Sequence, residues 1–149
     1  MFARFTDRAA KTLTLANQEA IRFHHKYVGT EHVLLALMRQ ENGAGATALR
    51  NLGLSLPQVL AEIEQLVKSG PNEDFRGKLP ETPRAKQAIK YAGHEARALN
   101  QDYVGTGHIL LGLLRESDGI AAKVLRSLGL TLEKARQEVL KLHAANVEE

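Results

Sequence analysis

Tyr27-Val28-Gly29-Thr30-Glu31-His32 runs on into Val33-Leu34-Leu35-Ala36-Leu37, and 76 positions later the pattern returns. The second copy reads Tyr103-Val104-Gly105-Thr106-Gly107-His108, then Ile109-Leu110-Leu111-Gly112-Leu113. The same shift aligns Thr6 with Thr82, Gly53 with Gly129 and Ser55 with Thr131. A chain that repeats half of its own length is a tandem duplication, and copies this long read as two related sub-bundles rather than as turns of a solenoid.

Outward from the signature, the periodicity is helical. Leu13, Ala16, Ala20 and Phe23 recur at spacings of three or four, which predicts a helix over 6–23 with Thr6 as N-cap and Asp7 in the first turn. Gly29 breaks the chain, and Thr30 is expected to cap a second helix to about residue 40, with Val33, Leu34, Leu37 and Met38 as its stripe. Asn42 to Gly45 reads as a turn, 46–52 as a short helix closed by Gly53, and 55–69 as a helix started by the Ser55–Gln58 capping box. Residues 70–81 lack periodicity and join the copies. Thr82-Pro83 starts the second set, whose helices are expected over 82–99, behind Thr106, over 119–128 and behind Thr131. No stretch alternates as a half-buried strand does. The expected fold is all-α: eight helices in one domain over 1–149, as two four-helix sets (2–69 and 82–145) with pseudo-twofold symmetry.

Composition narrows the function classes. Apolar residues make up 44% and charged residues 25% of 149 positions, an ordinary globular balance. No run approaches the ~18 apolar residues of a membrane span, and the first residues lack a signal-peptide core, so a cytoplasmic protein is expected. With no cysteine there is no disulfide or thiolate site. The net charge of +3 is interleaved with acids, aromatics are 5% and Trp is absent, which argues against nucleic acid as a partner. A helical nucleic-acid-binding domain is kept as a remote alternative, on the pI of 9.3.

No nucleotide-binding loop, nucleophile elbow or dinucleotide fingerprint occurs. Of the six histidines, His32 and His108 are equivalent by the repeat, and no two share the spacing of a zinc motif, so they are read as fixing the preceding loop. The chain is expected to be a non-enzyme with neither cofactor nor metal. The helix starts at Thr6, Thr30, Thr82 and Thr106 offer free amides that suit anions. Arg4 and Arg8 flank the first, Arg84 follows the third, and Glu31 adds a carboxylate, so a group carrying both charges could be held.

Three stretches carry a family resemblance: Phe2-x-Arg4-Phe5-Thr6-Asp7-Arg8-Ala9, the Tyr27 signature with its repeat, and Thr82-Pro83-Arg84-Ala85-Lys86. Over almost the whole chain they resemble the N-terminal Clp repeat domain of ClpC-type AAA+ unfoldases. The resemblance implies an interaction module above an AAA+ ring. Such a module binds adaptors such as MecA and receives substrates that the ring unfolds and ClpP degrades. A stand-alone repeat protein regulating a Clp complex is the alternative. In some members each repeat also holds phosphorylated arginine, with an acid before the signature His contacting the guanidinium.

Carried over, that acid is Glu31, in a first-copy pocket expected to comprise Phe2, Arg4, Thr6, Arg8, Thr30 and Glu31. The second pocket, from Thr82, Arg84, Thr106 and Gly107, is expected to be weakened because Gly107 stands where the acid would be. Glu81, in place of an aromatic such as Phe5, is expected to repel phosphate there. At most one working pocket follows.

Overall fold

The computed structural model describes residues 4–71 and 73–147. The described residues form eight helices: α1 (Asp7–Arg22), α2 (Thr30–Arg39), α3 (Ala44–Asn51), α4 (Leu56–Leu66), α5 (Pro83–Ala98), α6 (Thr106–Arg115), α7 (Ile120–Ser127) and α8 (Leu132–Ala144). Two short strands, β1 (Arg4–Phe5) and β2 (Tyr103–Val104), pair in parallel. The fold is the all-α architecture that the periodicity predicts, with two corrections.

The first concerns strands, which no alternating pattern in the chain predicts. Arg4 pairs with Tyr103 and Phe5 with Val104, and the Thr6 amide donates to the Val104 carbonyl at 2.9 Å. In the mirrored place Val28 and Glu81 form a bridge, and the Thr82 amide donates to the Val28 carbonyl at 2.8 Å. Pairs this short follow from where the helices put the chain, so no period-two pattern is needed. Each repeat is thereby entered beside the signature loop of the other.

The second concerns the signature threonines. Thr30 and Thr106 are not N-caps: Gly29 and Gly105 are, and the threonines begin their helices. Their hydroxyls cap in trans. Thr30 Oγ1 accepts from the Ala121 amide at 3.1 Å, in the first turn of α7, and Thr106 Oγ1 accepts from the Gly45 amide at 3.0 Å, in the first turn of α3. That cap explains why α3 starts at Ala44 rather than 46, out of a segment read as a turn. Its N-cap Gly43 has φ of 104°, and a Cβ there would lie 2.9 Å from Thr106 Oγ1. Thr6, Ser55, Thr82 and Thr131 do cap locally as expected. α4 stops at Leu66, short of 69, where Val67 turns extended.

The core lies on α2 and α6. Leu34, Leu35 and Leu37 on one, and Ile109, Leu110, Leu111 and Leu113 on the other, are all buried, each contributing about 1.5–3 kcal/mol of transfer free energy. α6 sits especially tight on α5: a Cβ on Gly112 would meet the Ala88 carbonyl oxygen at 2.2 Å. Two buried carboxylates tie the helices further. Glu95 binds Arg115 and, through both oxygens, Arg136, while Glu19 binds Arg22 and Arg39 through one oxygen only.

Candidate functional site

The chain leaves α1 through Phe23 into a left-handed His24 (φ 56°), and α5 leaves through Leu99 into Asn100 (φ 60°). The amides of His25 and Gln101 then bond back to Ala20 and Ala96, which closes each helix and aims residue 25 or 101 at the signature histidine. His32 Nδ1 accepts from the Gly29 amide at 2.9 Å, and His108 Nδ1 from Gly105 at 2.9 Å. An amide can only donate, so both rings carry their proton on Nε2. From there His32 Nε2 donates to His25 Nδ1 at 2.9 Å, and His25 Nε2 donates to the Lys68 carbonyl at 2.8 Å. In the second copy His108 Nε2 donates to Gln101 Oε1, and Gln101 Nε2 donates to His143 Nδ1 at 2.7 Å. The histidines therefore fix the loop before their helix, as read from the repeat.

His25, Glu31 and His32 come within metal-ligand spacing, their ligating atoms within 4.8 Å of one another. The donor set does not fit a metal, because the Gly29 amide leaves His32 Nε2 no lone pair to give and His25 is bonded at both nitrogens. Burial, helped by the neighbouring His25, lowers the His32 pKa to about 3, so the ring is neutral at physiological pH.

Glu31 follows Thr30 into the first turn of α2 and folds back over Gly29, where a Cβ would lie 2.2 Å from Glu31 Oε1. Burial raises its pKa, against the opposing pull of its own backbone amide and of His25. It stands in a cleft of about 580 Å³ lined by Gly29, Thr30, Glu31, Thr82, Pro83, Arg84, Glu116 and Ile120. Arg84 lies at the mouth, 3.4 Å from Glu116 and 3.7 Å from Asp118. On the other side of Glu31 a shallower hollow holds His25 and the exposed Tyr27. The cleft can take a cationic group at the carboxylate and an anionic one at Arg84.

The pockets expected from the sequence are grouped by repeat, and the structure regroups them. Glu31 and Thr30 face Thr82 and Arg84 of the other copy, because the crossed strand pairing brings the start of α5 to Val28. Thr6 and Arg8 lie instead beside Thr106: a Cβ on Gly43 would meet both Arg8 Cδ and Thr106 Oγ1 within 3 Å. Arg4 is exposed on β1, Gly107 is buried in the first turn of α6, and Phe2 lies outside the described residues. Glu81 does not line the Glu31 cleft. It borders a separate hollow with Leu13, Asn17 and Leu79. The residues that sequence reading missed are Glu116, Asp118 and Ile120. Their signal was present outside the signature, since the first copy has Gln40, Asn42 and Ala44 at these positions.

Comparison with known proteins places this geometry. The profile of the family described as Clp repeat (R) N-terminal domain matches residues 4–87 and again 81–148. The chain is 49% identical over 146 residues to the ClpC/MecB negative regulator of genetic competence of Bacillus subtilis, covering 98% of this chain and 18% of that protein. It is 45% identical over 141 residues to the ATP-binding subunit ClpC of the Staphylococcus aureus Clp protease, covering 95% of this chain and 17% of that one. The chain thus spans less than a fifth of these relatives. Among solved structures, the N-terminal domain of ClpD from Arabidopsis thaliana aligns with a TM-score of 0.73 at 22% identity, over 95% of both chains. The N-domain of ClpV from Vibrio cholerae aligns at 0.77 and 19%, over 95% of this chain and 86% of that one. A ClpV N-domain in complex with a VipB peptide aligns at 0.70 and 21%, over 90% and 83%. With both copies of the repeat matched in sequence and in fold, the chain belongs to the Clp repeat N-terminal domain family.

Proposed function

We propose that the chain is a recognition module, capturing adaptors or substrates for a ClpC-type AAA+ unfoldase and performing no catalysis itself. The observation that carries this reading is the composite cleft: a partly buried carboxylate, Glu31, opposite Arg84, with the starts of α2 and α5 on its walls. The peptide held by the related ClpV N-domain, and the near-half identity to ClpC proteins, support a protein ligand. In the described residues no helix is long and apolar enough to cross a membrane.

The ligand chemistry that fits is a guanidinium bearing a phosphate, as on arginine-phosphorylated substrates. The guanidinium donates to Glu31, and the phosphate meets Arg84, displacing the exposed Asp118. MecA-like adaptors are the second class of partner. Calorimetric titration with free phosphoarginine tests the reading. One site is expected, and Glu31→Ala should weaken it at least tenfold, since a charge-assisted contact contributes about 1.5–3 kcal/mol. Two equal sites, or binding indifferent to Glu31→Ala, would sink it.

A further inference from the structure

Away from the Glu31 cleft, two hollows of about 650 and 740 Å³ adjoin on the first repeat, sharing Arg39 and Glu41. The first runs along α1 past Lys11 and Leu15, and the second lies between the ends of α1 and α2 and the start of α4, past Arg22, Arg50 and Leu56. Lys11, Arg22, Arg39 and Arg50 are all exposed. With Arg8 in the same lining they outnumber the acids, Asp7 and Glu41. Two of these cations are held ready. Arg22 and Arg39 both donate to the same oxygen of Glu19, whose carboxylate is 3% exposed, so their guanidinium groups are positioned before any ligand arrives.

We propose that this face of the first repeat docks an acidic, aliphatic-rich peptide segment of a partner protein, independently of the Glu31 cleft. The charge supplies complementarity to carboxylates, and Leu15, Leu54 and Leu56 supply apolar contact between them. Nucleic acid fits less well, because neither hollow has an aromatic side chain on which a base could stack. The property is specific to one repeat: Lys11 and Arg22 correspond to Gln87 and Ala98, while Glu116 and Asp118 replace Gln40 and Asn42.

The test is fluorescence anisotropy of this chain with a labelled peptide of alternating Glu and Leu, about ten residues long, as charge-steered docking requires. The wild type should bind it at least tenfold better than the Gln-for-Glu peptide. Lys11→Glu combined with Arg50→Glu should lose at least tenfold, whereas Arg126→Glu, the second-repeat counterpart of Arg50, should change nothing. Should the double reversal fail to fold by circular dichroism, Lys11→Gln with Arg50→Gln takes its place, with a loss of threefold or more. Glu31→Gln should leave this binding intact, which separates the two sites. No binding by the wild type, an equal loss in Arg126→Glu, or tighter binding of an oligothymidylate of equal charge would overturn the proposal.

Discussion

The two repeats share a frame and differ in what they present. Both have the glycine N-cap, the histidine that closes the loop, the threonine that caps a helix of the other copy, and a buried glutamate clamped by arginine. Around the signature loops and the helix ends beside them the copies differ at Glu31 against Gly107, His25 against Gln101, and Glu116 and Asp118 against Gln40 and Asn42. Through the crossed entry of the chain, Glu31 and Glu116 line one cleft although they belong to different copies, and the exposed Asp118 pairs with Arg84 beside it. In the mirrored positions Gly107, Gln40 and Asn42 stand where these three acids are.

The largest contrast between the copies should be seen in stability. Gly112→Ala drives a methyl into the α5 backbone and is expected to cost about 3 kcal/mol in urea denaturation. The mirrored change Ala36→Gly, at a buried helix position with a side chain already accommodated, should cost about 1 kcal/mol. Equal losses would mean that α1–α2 and α5–α6 pack at the same distance.

Acid should expose the relay next. The His32 pKa is depressed to about 3 against 6.5, so the unfolded chain binds the proton more readily. Stability from this group is present above pH 6.5 and is lost as pH falls towards 3, by an amount on the order of a few kcal/mol. In His32→Gln, whose side-chain carbonyl oxygen can still accept from the Gly29 amide, this part of the acid dependence should disappear. An unchanged pH profile would show that the ring is not held neutral.

Removing one cross-cap hydroxyl leaves a buried amide without its partner. Thr30→Val and Thr106→Val are each expected to cost about 1–3 kcal/mol, with the exchange protection of Ala121 or Gly45 lost in the opposite repeat. Protection lost only near the mutated residue would contradict capping in trans.

Those threonines also mark where the sequence stopped being legible. Helix number, the central place of α2 and α6, and the local caps at Thr6, Ser55, Thr82 and Thr131 follow from periodicity and from pairs three residues apart, so one strand of text suffices. Thr30 looked like such a cap because it precedes an apolar run, but its partner Ala121 is 91 positions away and only packing reveals it. The two-residue strands were hidden for the same reason. In the site, Glu31 stood out as the changed position within the hexamer. Its neighbours Arg84 and Glu116 belong to the other copy, and nothing local says that α5 begins beside Val28.

The smallest stability effect should run the other way. Burial raises the Glu31 pKa, so its ionised form is disfavoured in the folded chain: the group's contribution is present below the unfolded pKa and lost as pH rises through the folded one. Glu31→Gln is expected to stabilise the domain slightly at pH 7, read as a small upward shift of the urea midpoint, while removing cation binding. A destabilised variant would show that the carboxylate belongs to the frame rather than to the site.

The composite origin of the cleft is tested most directly by calorimetry of phosphoarginine against two mirrored arginine variants. Arg84→Ala, in the second repeat, should weaken the single site that depends on Glu31 of the first, and Arg8→Ala should leave it unchanged. Weakening by Arg8→Ala with Arg84→Ala silent would contradict the account, because the ligand would then be held within one repeat.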